Sequence, residues 1–214
     1  MSDSSSLKTR LSVFMFLQYF IWGAWYVSMG PYLAVTLKFE GAQIGLAYGA
    51  FAIGAMISPF LVGLIADRFF ASEKILAVCG LLGGVVLCLI PRCTTFASFY
   101  PMLIVYCALY VPTLALGNAL SLTHLTDPEV DFPRVKMLSA VGWIAGLFGL
   151  GFIASAESPV QFYLAGGASI VFGLFGAKVF DIFEYWDRFL KDPVRVFMKG
   201  SGLTFLGGFV IGGI

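Results

Sequence analysis

Charge is what this sequence has least of. Aspartate, glutamate, lysine and arginine make up 12% of its 214 residues, about half the share that a water-soluble domain carries. Most of its surface must therefore face lipid or other apolar protein. The formal net charge is +1, so no basic excess exists to neutralise phosphates, and nucleic acid is excluded as a partner. Histidine occurs once, as His124, and one imidazole cannot assemble a metal cluster or a catalytic triad. The four cysteines, Cys79, Cys88, Cys93 and Cys107, show no CxxC spacing and read as small buried thiols. With no glycine loop to cradle a phosphate and no catalytic dyad, neither a cofactor, a metal site nor an enzyme is expected. Acidic residues are also missing from the long apolar runs: Glu40, Asp67, Glu73, Asp127, Glu129, Asp131 and Glu157 all fall between or at the ends of them.

What fills the sequence instead is apolar length. Hydrophobic residues reach 59% and the mean hydropathy is +0.92. Six runs, at 11–36, 42–66, 74–91, 97–122, 137–155 and 160–180, meet or approach the roughly 20 residues that cross a bilayer core as a helix. None alternates in polarity as a barrel strand must, and backbone groups in lipid have to be satisfied internally, so all six are predicted helices. The expected fold is all-α and polytopic, with a polar tail at 1–10, a six-helix bundle at 11–180 and an aromatic, charged segment leading into an apolar tail at 181–214. The first run is too long for the core of a signal peptide and reads as a membrane helix. Residues 181–199 mix charge with Phe183, Tyr185, Trp186, Phe189 and Phe197, the composition of an interfacial helix. Residues 202–214 are apolar but short, as at the start of a seventh helix.

Gly41, Gly45 and Gly49 step by fours along the second run, and Gly142, Gly146 and Gly151 recur in the fifth. Such spacing lets helix backbones approach closely. Lysine and arginine are distributed unevenly: Lys38 and Arg92 fall in one set of connecting segments and all the others, Lys136 included, in the opposite set. By the positive-inside rule the N-terminus is expected in the cytoplasm.

Between the second and third runs stands Gly63-Leu-Ile-Ala-Asp67-Arg68, which resembles the loop motif of the major facilitator transporters. Gly63 permits close helix contact, Asp67 can cap a neighbouring helix, and Arg68 suits the phosphate layer. Further segments resemble the nucleoside:proton symporter family within that superfamily. They are Leu17-Gln18-Tyr19-Phe20-Ile21-Trp22-Gly23-Ala24-Trp25-Tyr26, Val35 to Phe39 with Gly41 to Gly45, Val111-Pro112-Thr113-Leu114 with Asn118, and Asp131-Phe132-Pro133 ahead of Val141-Gly142-Trp143-Ile144. They follow the family's order over roughly residues 11–155. The resemblance implies one six-helix half of a twelve-helix carrier that alternates access around a central site. It also implies a nucleoside as solute and a proton as coupling ion, in the inner membrane of a bacterium. Gln18, Trp22, Asn118, Lys136 and Trp143 become the candidate substrate-binding residues. At the fifth helix the chain departs from the family's arginine and tryptophan-glycine-threonine, carrying Lys136 and Leu138-Ser139-Ala140. Lysine keeps the charge but loses the planar fork.

Two functions are open at this point. One is a transporter-like protein for a nucleoside-like solute, working with a second half, a homodimer partner or other membrane subunits. The other is a half-transporter serving as a structural subunit of a larger, even photosynthetic, complex. The second draws on the absence of acidic residues within the helices and on the segment from Trp186 to Phe197, which resembles the membrane-entering part of bacterial light-harvesting polypeptides.

Overall fold

The computed structural model describes residues 2–61 and 72–184. Six long helices run through them: α1 Ser2–Tyr26, α2 Gly41–Leu61, α3 Ser72–Leu89, α4 Phe96–His124, α5 Pro128–Ile153 and α6 Val160–Glu184. Five segments are long and apolar enough to cross a membrane: Leu7–Thr36, Gly41–Phe60, Ile75–Arg92, Phe96–His124 and Pro128–Ile153. In α6 the described apolar stretch, Val160–Leu174, is shorter. The arrangement is the expected all-helical half of a major facilitator fold. The loop motif of Gly63, Asp67 and Arg68, and the aromatic segment and apolar tail from residue 185 onward, lie outside the described residues.

Helix limits differ from the apolar runs wherever polar residues extend a helix. α1 already begins at Ser2, and its Lys8 ammonium lies 2.7 Å from the carboxylate of Asp131. α5 begins at Pro128, nine residues before its apolar run, so the Asp131-Phe132-Pro133 motif is helical rather than part of a loop. Its start is well specified. The Asp127 side chain accepts from the Val130 amide at 3.4 Å, Pro128 occupies the first turn, and Glu129 and Asp131 place negative charge at the N-terminus. Consequently Lys136 is no loop residue. It stands inside α5, eight residues from the helix start, or about 12 Å along the axis at the usual rise.

α1 breaks near its far end. Pro31 has no amide hydrogen to donate, and the chain passes through a short helical turn, Met29–Pro31, into a π-helical turn, Tyr32–Thr36. The Gly30 amide at the break is taken by the Tyr48 hydroxyl of α2 at 3.0 Å. An unpaired backbone donor in a bilayer would cost several kcal/mol. The hydroxyl supplies what the interrupted helix cannot.

The main packing pairs are α1 with α5, α3 with α6 and α2 with α4, followed by α3 with α4 and α1 with α6. Exchanging α1–α3 for α4–α6 maps this set onto itself. The bundle is thus two similar three-helix units, the repeat nested within each half of major facilitator carriers. Its core lies where α1, α4 and α6 meet, with Trp25 edge-on to Tyr106 at 5.3 Å and Phe162 against both Phe99 and Tyr32. Edge-to-face contacts of this kind match ring edge to ring face.

Glycine sets how closely the pairs approach. A Cβ on Gly142 would stand 2.2 Å from the Phe16 carbonyl oxygen, one on Gly146 2.4 Å from that of Phe20, and one on Gly23 2.2 Å from that of Trp143. The α1 and α5 backbones are therefore in direct contact. Gly84, Gly166 and Gly173 do the same between α3 and α6. Gly41, Gly45 and Gly49 differ from the expectation: added Cβ atoms there would meet nothing within 4 Å among the described residues, and the same holds for Gly151.

Candidate functional site

Polar side chains inside a membrane bundle are expensive, so the places where several converge are the places to look for a site. One such place joins three helices. Lys136 of α5 donates from Nζ to the Tyr19 hydroxyl of α1 at 2.7 Å and to Asn118 Oδ1 of α4 at 2.8 Å. All three side chains are only partly buried. The ammonium is 4.4 Å from the centre of the Tyr19 ring, so the hydroxyl bond is the shorter contact. Among the described residues no carboxylate pairs with Lys136. The nearest acid in sequence on α5, Asp131, is buried and engaged by Lys8 at 2.7 Å and by Arg134 at 4.0 Å.

Four of the five candidates selected from sequence come together in this region, Lys136 with Asn118 and Trp22 with Trp143. Trp22 lies one turn beyond Tyr19 on α1, and Trp143 two turns beyond Lys136 on α5. Their rings meet edge to face at 4.6 Å. Phe51 of α2 stacks flat on Trp22, also at 4.6 Å with planes 2° apart, and Tyr26 stands edge-on to both Trp22 and Phe51. An aromatic wall built from α1, α2 and α5 thus adjoins a polar corner built from α1, α4 and α5. Within it the Trp22 indole Nε1 is buried without a hydrogen-bond partner. A buried orphan donor is unusual enough to need an explanation.

Gln18 is placed differently. It is 1% exposed and donates through Nε2 to the Thr113 hydroxyl at 3.1 Å, while its backbone carbonyl accepts from the Tyr110 hydroxyl at 2.7 Å. These bonds tie α1 to α4. The remaining Gln18 Oε1 is close to Gly117, where an added Cβ would come within 2.8 Å of it. Gln18 Nε2 thus joins two helices, while its Oε1 is buried without a hydrogen-bond partner, one residue from the polar corner. His124, the single histidine, bonds to the Leu120 carbonyl in its own helix at 2.8 Å.

Tyr19, Tyr26 and Phe51 were not selected from the sequence. For α1 the signal was present, because residues 19, 22 and 26 fall on one helical face. Phe51 had no such signal, since its place depends on how α2 packs beside α1.

Comparison with known proteins agrees with this architecture. The sequence profile of the family described as Nucleoside H+ symporter matches residues 5–184. YegT of Escherichia coli (strain K12), provisionally named a nucleoside transporter, is 37% identical over 173 residues, which is 78% of this chain and 40% of YegT. The xanthosine permease of the same strain is 35% identical over 78% of this chain and 41% of its own length. A crystal structure of the nucleoside transporter NupG superposes with a TM-score of 0.75 at 31% identity, covering 79% of this chain and 43% of NupG. The chain spans about two fifths of the length of the relatives it matches.

Proposed function

The chain belongs to the nucleoside H+ symporter family, and on that premise we propose that it moves a nucleoside-like solute across a membrane by alternating access, coupled to protons. The observation that carries the reading is the convergence of Lys136, Tyr19 and Asn118 from three helices, beside the wall of Trp22, Trp143 and Phe51. A nucleoside has a flat base, suited to an aromatic surface, and hydroxyls and ring heteroatoms, suited to a polar corner. Lys136 would hold a polar edge of the solute, with Asn118 and Tyr19 fixing the ammonium. Trp22 and Trp143 would face the base. Gln18 supports the corner from behind.

Alternating access requires this bundle to work against another, and a second six-helix bundle or a second copy of the chain is the proposed partner. Proton coupling requires a titrating group in the membrane. Among the side chains whose burial is described, Asp131 is the one buried carboxylate and it is ion-paired, so the titrating group is assigned to the partner bundle. The uneven spread of lysine and arginine supports an inner-membrane orientation with a cytoplasmic N-terminus. The family match and the named relatives lend no support to the other reading, a structural subunit of a larger complex.

The test is uptake of labelled uridine and inosine into cells devoid of their own nucleoside carriers. Uptake above the empty-vector control, abolished by a protonophore, is expected. Lys136→Ala should lower it at least tenfold at an unchanged protein level in the membrane. Uptake that stays at the control value for every nucleoside tried would reject the function, and full uptake by Lys136→Ala would remove that residue from the site.

A further inference from the structure

We propose that Tyr48 is a positioning residue for the aromatic wall: its hydroxyl latches α2 to the broken end of α1 and so holds Phe51 flat on Trp22. The inference rests on the nucleoside reading above and goes beyond it to what sets the shape of that site.

A helix interrupted inside a bilayer frees backbone groups that need partners. At the break in α1, Ser28 serves its own helix, its hydroxyl lying 3.5 Å from the Ala24 carbonyl oxygen and 3.4 Å from that of Trp25. The Gly30 amide is served from outside, by the Tyr48 hydroxyl at 3.0 Å. Among the described residues this is the one hydrogen bond that joins α2 to another helical element. The contact is also specific in shape. A Cβ on Gly30 would stand 2.8 Å from the Tyr48 hydroxyl oxygen, so the approach needs glycine. Beyond the break the chain is anchored again, because the Thr36 hydroxyl donates at 2.6 Å to the Glu157 carbonyl, between α5 and α6. Gly30 therefore offers α2 a fixed point.

α2 needs such a point. It packs chiefly on α4, and that contact does not by itself settle how its other side meets α1. Tyr48 and Phe51 are three residues apart and share one face of α2. Tyr26 of α1 stands edge-on to both, 5.2 Å from Tyr48 and 6.0 Å from Phe51. Phe51 in turn lies on Trp22 at 4.6 Å with the planes 2° apart. A flat stack is forgiving, since one ring can slide over the other while losing contact gradually. A hydrogen bond weakens steeply with distance and angle. The bond one turn away on α2 is thus what sets the register of the stack.

Tyr48→Phe keeps the ring and removes the hydroxyl, and two measurements on the full chain decide the matter. Hydrogen exchange of the purified protein in detergent reads the latch with no solute present. Residues 29–36 should exchange about fivefold faster in Tyr48→Phe, as expected for the loss of one hydrogen bond. Uridine uptake reads the wall. Tyr48→Phe should raise KM about fivefold at unchanged Vmax and protein level, and should add nothing in a Phe51→Leu background, where no flat ring is left to position. Gly30→Ala should behave as Tyr48→Phe does, and the two together should be no worse than Gly30→Ala alone. Unchanged exchange in Tyr48→Phe would overturn the latch. An unchanged KM, or a KM effect kept in full beside Phe51→Leu, would overturn positioning through Phe51 while nucleoside transport stands. If the unaltered protein takes up no nucleoside, the nucleoside reading fails by itself, and exchange still decides the latch.

Discussion

At the scale of single residues, the most exposed dependency is the ion pair between Lys8 and Asp131. Asp131 is 5% exposed, and its carboxylate is served by Lys8 at 2.7 Å with Arg134 only at the 4.0 Å margin. Removing Lys8 leaves a buried negative charge with a distant partner, which costs more than the pair was worth. Lys8 is itself about two-fifths exposed, so solvent screening limits the loss to about 1 kcal/mol. Thermal unfolding in detergent should show Lys8→Met less stable than the double variant Lys8→Met with Asp131→Asn, because the double variant has no charge left to strand. Equal stabilities would mean that water already serves the carboxylate. The identity of the site was partly legible at this scale. Trp22, Asn118 and Trp143 stood out as polar or amphipathic residues in long apolar runs, where each needs a reason to exist, and Lys136 stood just ahead of the fifth run, at a position the family resemblance marked. What could not be read was which of them touch. Lys136 meets Tyr19 across 117 residues and Asn118 across 18, and such meetings depend on the rotational phase of three helices at once.

At the scale of elements, run length located the helices and missed their polar ends. Apolar periodicity does not register Ser2 to Arg10 or Asp127 to Lys136, although Asp127-Pro128-Glu129 is a readable helix start. Glycine spacing was a weaker guide than it looked. Gly142 and Gly146 seat α1, whereas Gly41, Gly45 and Gly49, with the same interval, touch nothing among the described residues. Spacing says that a close approach is permitted and not that a neighbour is there. The two sets should therefore respond differently to a methyl group. Gly142→Ala places a Cβ against the Phe16 carbonyl and should cost about 1–3 kcal/mol by forcing the helices apart. Gly45→Ala should be neutral or slightly stabilising for this bundle, as alanine favours the helix. Denaturation of the two purified variants side by side distinguishes these outcomes. A large loss from Gly45→Ala would reveal a close partner on that face of α2.

At the scale of the whole molecule, the open faces of α2 and α5 are consistent with the proposed second bundle. Only 22% of each span is buried, against 50% for α1 and α4. On α5 the exposed residues Met137, Val141, Ile144, Phe148 and Phe152 form one apolar stripe. The proposed orientation can be checked with single cysteines in a cysteine-free background. Thr94→Cys, between α3 and α4, should react with an impermeant maleimide on intact cells. Thr126→Cys, between α4 and α5, should react only after the membrane is opened, and the reverse pattern would invert the topology.

The three-helix repeat also has a mechanical side. The contacts of α1 with α5 and of α2 with α4 are equivalent under the exchange, yet they are not equally tight. Three glycines bring the α1 and α5 backbones together, while Gly54 against Cys107 is the corresponding close approach between α2 and α4. One pair is a keyed joint and the other a bearing. Any bending of this bundle should run along the second, carrying α2 past α4, because Gln18, Thr113 and Tyr110 hold α4 to α1. The three residues at the polar corner, Tyr19, Asn118 and Lys136, then ride together on α1, α4 and α5. A displacement of α2 would slide Phe51 along the Trp22 ring and leave the bonds of Lys136 in place.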